Sequence, residues 1–165
     1  VGGGVAIDGR VITGDDGEPP EIGAMVLDAA VRYPRTLEDF ACAAGFALAY
    51  QRRGGEANLT PEEIFASAVS GNGVAISAIE DISQRIAQGL GTLINTLNLN
   101  ACLLAGGIAL AGDALLAPVR NSMPDFTWPY LLSRADVQVA ETGHDAGMLG
   151  AAALAFQSVD HISTQ

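Results

Sequence analysis

Three consecutive glycines near the start of the chain are the residues best suited to contact an anion. Gly2, Gly3 and Gly4 have no Cβ atoms, so the backbone can approach a phosphate closely and turn its N–H groups toward the oxygens. Asp8-Gly9 follows between two apolar runs and predicts a type I′ β-hairpin over residues 1–12, because both turn positions need a positive φ. The alternative is a glycine-rich strand end without a ligand, since short glycine motifs often match by chance.

A longer motif continues from these glycines. The run VGGGVAIDGRVITG is followed by a polar loop and then by Glu21-Ile22-Gly23. This pattern resembles the middle of ROK-family proteins, which are bacterial sugar kinases and sugar-responsive repressors with a glycine-rich phosphate loop, a hairpin and a Glu-Ile-Gly-His turn. The resemblance covers most of residues 1–156. It implies an α/β fold, a ribonuclease-H-like lobe of the actin-like ATPase and sugar kinase superfamily with a mixed sheet and flanking helices.

The resemblance also implies a nucleotide site. It assigns Gly2, Gly3 and Gly4 to the loop that faces the ATP phosphates, and Gly106-Gly107 to the adenosine. Residues 143–152, with the sequence GHDAGMLGAA, resemble the family's closing helix, which helps to wall this site. Within that stretch, His144 is better interpreted as a surface residue near a helix start than as a nucleotide contact.

Two glutamates match family residues that contact the sugar. Glu21 corresponds to the glutamate of the Glu-Ile-Gly-His turn, and Glu38 to a second family glutamate. Carboxylates suit polyols because each one accepts several charge-assisted hydrogen bonds from hydroxyl groups. The alternatives are a solvated loop residue for Glu21 and a favourable charge in the first turn of a helix for Glu38.

The sequence departs from the family at the residues that hold a structural zinc ion. Ala24 replaces the histidine of the turn, and residues 29–37, AAVRYPRTL, contain no cysteine where the family has a cluster. Cys42 and Cys102 cannot supply four ligands, and the two histidines lie far away in sequence. The sequence therefore predicts no zinc and no other metal held by this chain.

Composition excludes several other functions. The 165 residues have a net charge of −11, which argues against binding of nucleic acid or an anionic membrane. The basic residues are eight arginines with no lysine, which excludes a Walker-type lysine, a Schiff-base lysine and a pyridoxal-phosphate anchor in this chain. Two free thiols and the lack of a leader or a long apolar span predict a cytoplasmic protein.

Periodicity and capping residues predict the elements. Thr36, with Asp39 three residues later as a weak capping box, predicts a helix to about Arg53. A long amphipathic helix contains Gly89 and Gly91, which are expected to allow close packing. The other predicted elements are strands at 24–27, 101–105 and 137–140, and helices at 60–70, 75–97, from 112 onward and at 145–156.

The chain begins within an apparent strand, so it is interpreted as one lobe, residues 1–157, followed by a frayed tail, residues 158–165. We expect the catalytic aspartate in an N-terminal lobe upstream. The hypothesis is the C-terminal lobe of an ATP-dependent hexose kinase resembling glucokinases, using ATP with Mg²⁺ and inactive alone. The alternatives are the sugar-sensing lobe of a ROK-type repressor and a degenerate lobe kept for dimerisation through the long helix; a homodimer is expected.

Overall fold

The computed structural model describes residues 1–162, apart from the side chains of His144 and of residues 157–162. Seven helices and four strands are found in this part of the chain. In chain order they are β1 (Ala6–Ile7), β2 (Arg10–Val11), α1 (Leu37–Ala41), α2 (Ala43–Arg52), α3 (Pro61–Val69), α4 (Gly73–Leu97), β3 (Ala101–Leu104), α5 (Asp113–Phe126), α6 (Pro129–Leu132), β4 (Asp136–Val139) and α7 (Ala146–Ile162).

The predicted hairpin turn is present, but its strands, Ala6–Ile7 and Arg10–Val11, are shorter than the predicted residues 1–12. Asp8 has a φ of 52° and Gly9 a φ of 74°, as a type I′ turn requires, and β1 pairs with β2 in antiparallel register. The strand predicted at residues 24–27 is wrong. Residues Ile22–Ala24 form a 3-10 turn, and only Val26 makes a bridge, with Thr36. Because that bridge is isolated, it joins two loops without forming a sheet.

Helix α4 is the centre of the core. Its predicted apolar face is buried at Ala75, Ile79, Ile82 and Ile86, whereas Leu97 at the end of the helix is partly exposed. Helix α4 packs against α1, α2, α3 and α5. Asn72 is the N-cap of α4, and its Oδ1 accepts from the backbone N–H groups of Val74 and Ala75. The cap and the buried apolar stripe therefore both favour a helix that begins at Gly73.

The single helix predicted from Thr36 to Arg53 is wrong, because Cys42 divides it into α1 and α2. Cys42 has extended backbone angles and its Sγ accepts from the N–H of Gly45. A Cβ on Gly45 would lie 2.1 Å from the carbonyl oxygen of Phe40. The corner therefore requires glycine at this position.

The glycines inside α4 allow close packing, as predicted. A Cβ on Gly91 would lie 2.7 Å from the carbonyl oxygen of Phe126 at the end of α5. A Cβ on Gly89 would lie 3.2 Å from the side chain of Leu37 in α1. Both glycines are buried, and each one allows a neighbouring element to pack closely against α4.

Strands β3 and β4 form a separate two-stranded parallel sheet, with α5 and α6 in the connection. The sequence predicted one mixed sheet, whereas the antiparallel and the parallel pairing of the described strands lie in two separate two-stranded sheets. Helix α7 continues to Ile162, past the predicted end at Phe156, so it overlaps the predicted tail. Residues 163–165 of that tail lie outside the described residues. Within residues 1–162, no helix combines the length and the apolar character needed to cross a membrane.

Candidate functional site

The two glycine segments predicted to bind a nucleotide lie on the same cavity, of about 430 Å³. Residues 1–5 line one part of it, and residues 102–105 with Gly107 and Ile108 line another part. The segments are about a hundred residues apart in the chain and meet at this cavity. Gly106, the residue before Gly107, is outside the lining and has a φ of 90°, which favours glycine.

The floor and the rim of this cavity differ in chemistry. Ile86, Leu90 and Leu93 of α4 contribute an aliphatic floor. No charged side chain contributes to the lining within the described part of the chain. An anion at this cavity would therefore be bound at the glycine rim, where backbone N–H groups are the available donors.

The three N-terminal glycines are not equivalent. A Cβ on Gly3 would lie 2.7 Å from Cδ1 of Ile22, so Gly3 packs against the turn that follows Glu21. A Cβ on Gly2 or Gly4 would have no neighbouring atom within 4 Å. Internal packing therefore explains glycine at position 3, whereas positions 2 and 4 leave open backbone that a bulky ligand can approach.

The structure brings the segment of Glu38 against the turn that follows Glu21. A Cβ on Gly23 would lie 3.5 Å from Cβ of Glu38 and 2.1 Å from the carbonyl oxygen of Val1. Three separate stretches of chain thus meet at Gly23: the glycine strand, the turn and the start of α1. Glu21 and Glu38 are both solvent-exposed, and Glu38 Oε1 pairs with the N-terminal ammonium of Val1 at 3.3 Å.

Asp39 completes the capping box at the start of α1, next to this meeting point. Its Oδ2 accepts from the N–H groups of Arg35, at 3.0 Å, and Thr36, at 2.9 Å, while its own N–H donates to Thr36 Oγ1 at 3.2 Å. These bonds to the backbone N–H groups of Arg35 and Thr36 lower the pKa of Asp39 below its usual value. The Thr-x-x-Asp pattern predicted the cap; the additional bond to Arg35 depends on the loop and had no sequence signal.

The cysteines are free, as expected. Cys42 and Cys102 both line the cavity, and burial raises the pKa of the Cys102 thiol. Among the residues whose side chains are described, no three histidine, cysteine or acidic residues are grouped as metal ligands would be. The side chain of His144, predicted to lie at the surface, is outside the described residues.

Comparison with known proteins gives the family. The pattern of the ROK family matches residues 1–158. A glucokinase from Halalkalibacterium halodurans is 28% identical over 172 residues, covering 91% of this chain and 51% of the relative. The chain thus spans about half the length of that curated relative.

Solved structures show the same fold. A ROK family glucokinase from Streptomyces griseus, in complex with glucose and AMPPNP, superposes with a TM-score of 0.84 at 23% identity, covering 94% of this chain and 57% of that one. A ROK family transcriptional regulator, a homologue of the E. coli MLC protein, gives 0.73 at 22%, covering 84% and 38%. The chain has the fold of these solved ROK proteins, and it belongs to the ROK family.

Proposed function

We propose that this chain is the nucleotide- and sugar-binding lobe of an ATP-dependent sugar kinase that acts on a glucose-like hexose in the cytoplasm. The observation that carries the proposal is the meeting of two glycine segments on one cavity, with the Glu38 segment packed beside the first of them. The relative named glucokinase and the structure with glucose and AMPPNP support the same assignment.

Each predicted residue has a role in this proposal. The open backbone at Gly2 and Gly4 donates hydrogen bonds to phosphate oxygens, and Gly106-Gly107 lets the adenosine lie against the backbone. Glu21 and Glu38 accept hydrogen bonds from the sugar hydroxyls and so orient the sugar. Bound ATP would supply the phosphoryl group, and Mg²⁺ would offset the negative charge on the phosphates during its transfer. The departures from the family at Ala24 and residues 29–37 are consistent with a sugar site that needs no zinc.

The lobe requires a second part for catalysis in this proposal. A carboxylate that takes the proton of the attacking hydroxyl is assigned to a lobe upstream of Val1, because neither Glu21 nor Glu38 is assigned that task. The test is an ATP-dependent glucose phosphorylation assay on the 165-residue chain and on the complete gene product. We expect turnover only with the complete product; robust turnover by the chain alone would contradict the division of labour.

The sugar-sensing lobe of a repressor is the second candidate, because a regulator shares the fold. ATP binding separates the two candidates. A kinase binds ATP and glucose at the same time, whereas a sensor needs only the sugar. Titration calorimetry of the complete product with AMPPNP is the measurement, and glucose binding without any AMPPNP binding would favour the repressor. Homodimerisation is part of both candidates and is checked by light scattering.

A further inference from the structure

Glu21 and Glu38 are seventeen positions apart in the sequence, yet a very short piece of backbone pairing sets their separation. After Glu21 the chain makes the 3-10 turn Ile22–Ala24, and Val26 then bridges to Thr36. The N–H of Leu37 donates to the carbonyl oxygen of Met25 at 2.9 Å. Because Glu38 follows Leu37 directly, any slip of this pairing moves one carboxylate relative to the other.

The loop between the paired segments is closed by backbone bonds at its base. The N–H groups of Leu27 and Asp28 both donate to the carbonyl oxygen of Arg35, at 2.7 and 3.1 Å. The N–H of Arg35 donates in turn to the carboxylate of Asp39. Asp39 therefore connects the base of the loop to helix α1, which a cap confined to Thr36 would not do.

We propose that Asp39 is a positioning residue for sugar recognition. Its carboxylate holds Arg35 and Thr36 so that Glu38 keeps its place against Gly23 and the turn of Glu21, and Asp39 itself does not touch the sugar. This inference rests on the proposed function of Glu21 and Glu38. In this proposal the Asp39 carboxylate closes the loop between Val26 and Thr36 through its hydrogen bonds to Arg35 and Thr36. Among the described residues, no cluster of metal ligands is present to close that loop.

The chain provides a matched control, because α3 begins with the same capping arrangement. The N–H of Thr60 donates to Glu63 Oε2 at 2.8 Å, and the N–H of Glu63 donates to Thr60 Oγ1 at 3.3 Å. None of residues 60–63 lines the cavity, and none takes part in the pairing between Met25 and Leu37. Loss of either cap costs helix stability, but only loss of the Asp39 carboxylate should affect the sugar.

The test measures glucose binding by titration calorimetry on the complete gene product, for the wild type, Asp39→Ala, Asp39→Asn and Glu63→Ala. We expect Asp39→Ala to weaken glucose binding about tenfold, because small displacements of positioning groups have effects of this size or larger. Glu63→Ala should leave glucose binding within about twofold while it lowers the unfolding midpoint, as loss of a cap does. Asp39→Asn, which keeps one acceptor oxygen, should give an intermediate value and serves if Asp39→Ala does not fold.

Amide hydrogen exchange provides a readout that is independent of the sugar. In Asp39→Ala, exchange should accelerate at the N–H groups of Leu27 and Leu37, and it should not do so in Glu63→Ala. Unchanged glucose affinity in Asp39→Ala, or equal losses in Asp39→Ala and Glu63→Ala, would overturn the positioning role while the wild type still bound glucose. Failure of the wild type to bind glucose would instead overturn the proposed function and this inference together.

Discussion

Glycines at contacts between helices and glycines at the cavity rim have opposite surroundings. At Gly45 and Gly91 a methyl group would collide with the carbonyl oxygen of a neighbouring turn or helix. At Gly2 and Gly4 a methyl group would meet nothing within 4 Å. At Gly45 and Gly91, glycine is thus needed because two backbones approach each other closely. At Gly2 and Gly4, packing within the folded chain does not require glycine. The difference separates stability from ligand binding, and substitutions can test that separation.

The largest effect is expected at the corner between α1 and α2. In Gly45→Ala the added methyl lies 2.1 Å from the carbonyl oxygen of Phe40 and 2.5 Å from that of Asp39, so backbone has to move. We expect the free energy of unfolding to fall by about 3 kcal/mol, the upper end of overpacking costs. Urea unfolding measures it. Gly73→Ala, where the methyl meets nothing within 4 Å, is the control and should stay within about 0.5 kcal/mol.

A smaller loss is expected where α4 crosses the end of α5. Gly91→Ala places a methyl 2.7 Å from the backbone oxygen of Phe126 and should lower the free energy of unfolding by about 2 kcal/mol. Gly89→Ala contacts only the end of the Leu37 side chain, at 3.2 Å, and that side chain can rotate. Since alanine gains about 1 kcal/mol over glycine in a helix, Gly89→Ala should be close to neutral. Equal losses in both variants would show that the identity of the contacted atom does not matter.

Substitution of a glycine at the cavity rim should weaken nucleotide binding with little change in stability. Gly4→Ala is expected to change the free energy of unfolding by no more than about 0.5 kcal/mol. In the complete gene product it should weaken AMPPNP binding about tenfold, the equivalent of one hydrogen bond to a charged group. Unfolding and calorimetry are measured on the same preparation. Normal AMPPNP affinity in Gly4→Ala would remove the rim glycines from the nucleotide site.

The smallest expected effect is on how the stability contributed by Asp39 depends on pH. Because bonds to the backbone N–H groups of Arg35 and Thr36 lower the pKa of Asp39 from 3.8, its stabilising contribution is present above that pH and is lost as the pH falls through the lowered value. The difference in unfolding midpoint between wild type and Asp39→Asn should therefore be constant from pH 7 to about pH 5 and shrink below pH 3.8. A difference that grows on acidification would contradict this sign.

Local rules predicted the elements whose signals lie within a few residues. Asp8-Gly9 fixed the hairpin turn, and Thr60 with Glu63 fixed the start of α3. The division at Cys42 was not predictable, because the collision that requires Gly45 depends on how α2 turns back against α1. The strand expected at 24–27 failed for a similar reason: its only bridge is to Thr36, ten residues beyond Val26.

For the candidate site, the sequence identified Gly2 to Gly4 and Gly107 separately, and the structure shows that they line one cavity. Their ligand, and the sugar contacts of Glu21 and Glu38, remain predictions. The role given to Asp39 could not be derived beforehand, since the bond from Arg35 depends on a loop whose shape has no sequence signal.

The parallel pair of β3 and β4 has a consequence for self-association. Arg120 of α5 donates to the carbonyl oxygen of Val137 at 2.8 Å and pairs with Asp136 at 3.7 Å, so a charged side chain covers part of β4. On β3 the exposed residues are Ala101 and Leu103, the latter 64% exposed. An apolar strand with one unpaired edge is a template for pairing with another chain. Aggregation of this chain at high concentration would therefore begin at β3, and a charged residue at position 103 would oppose it.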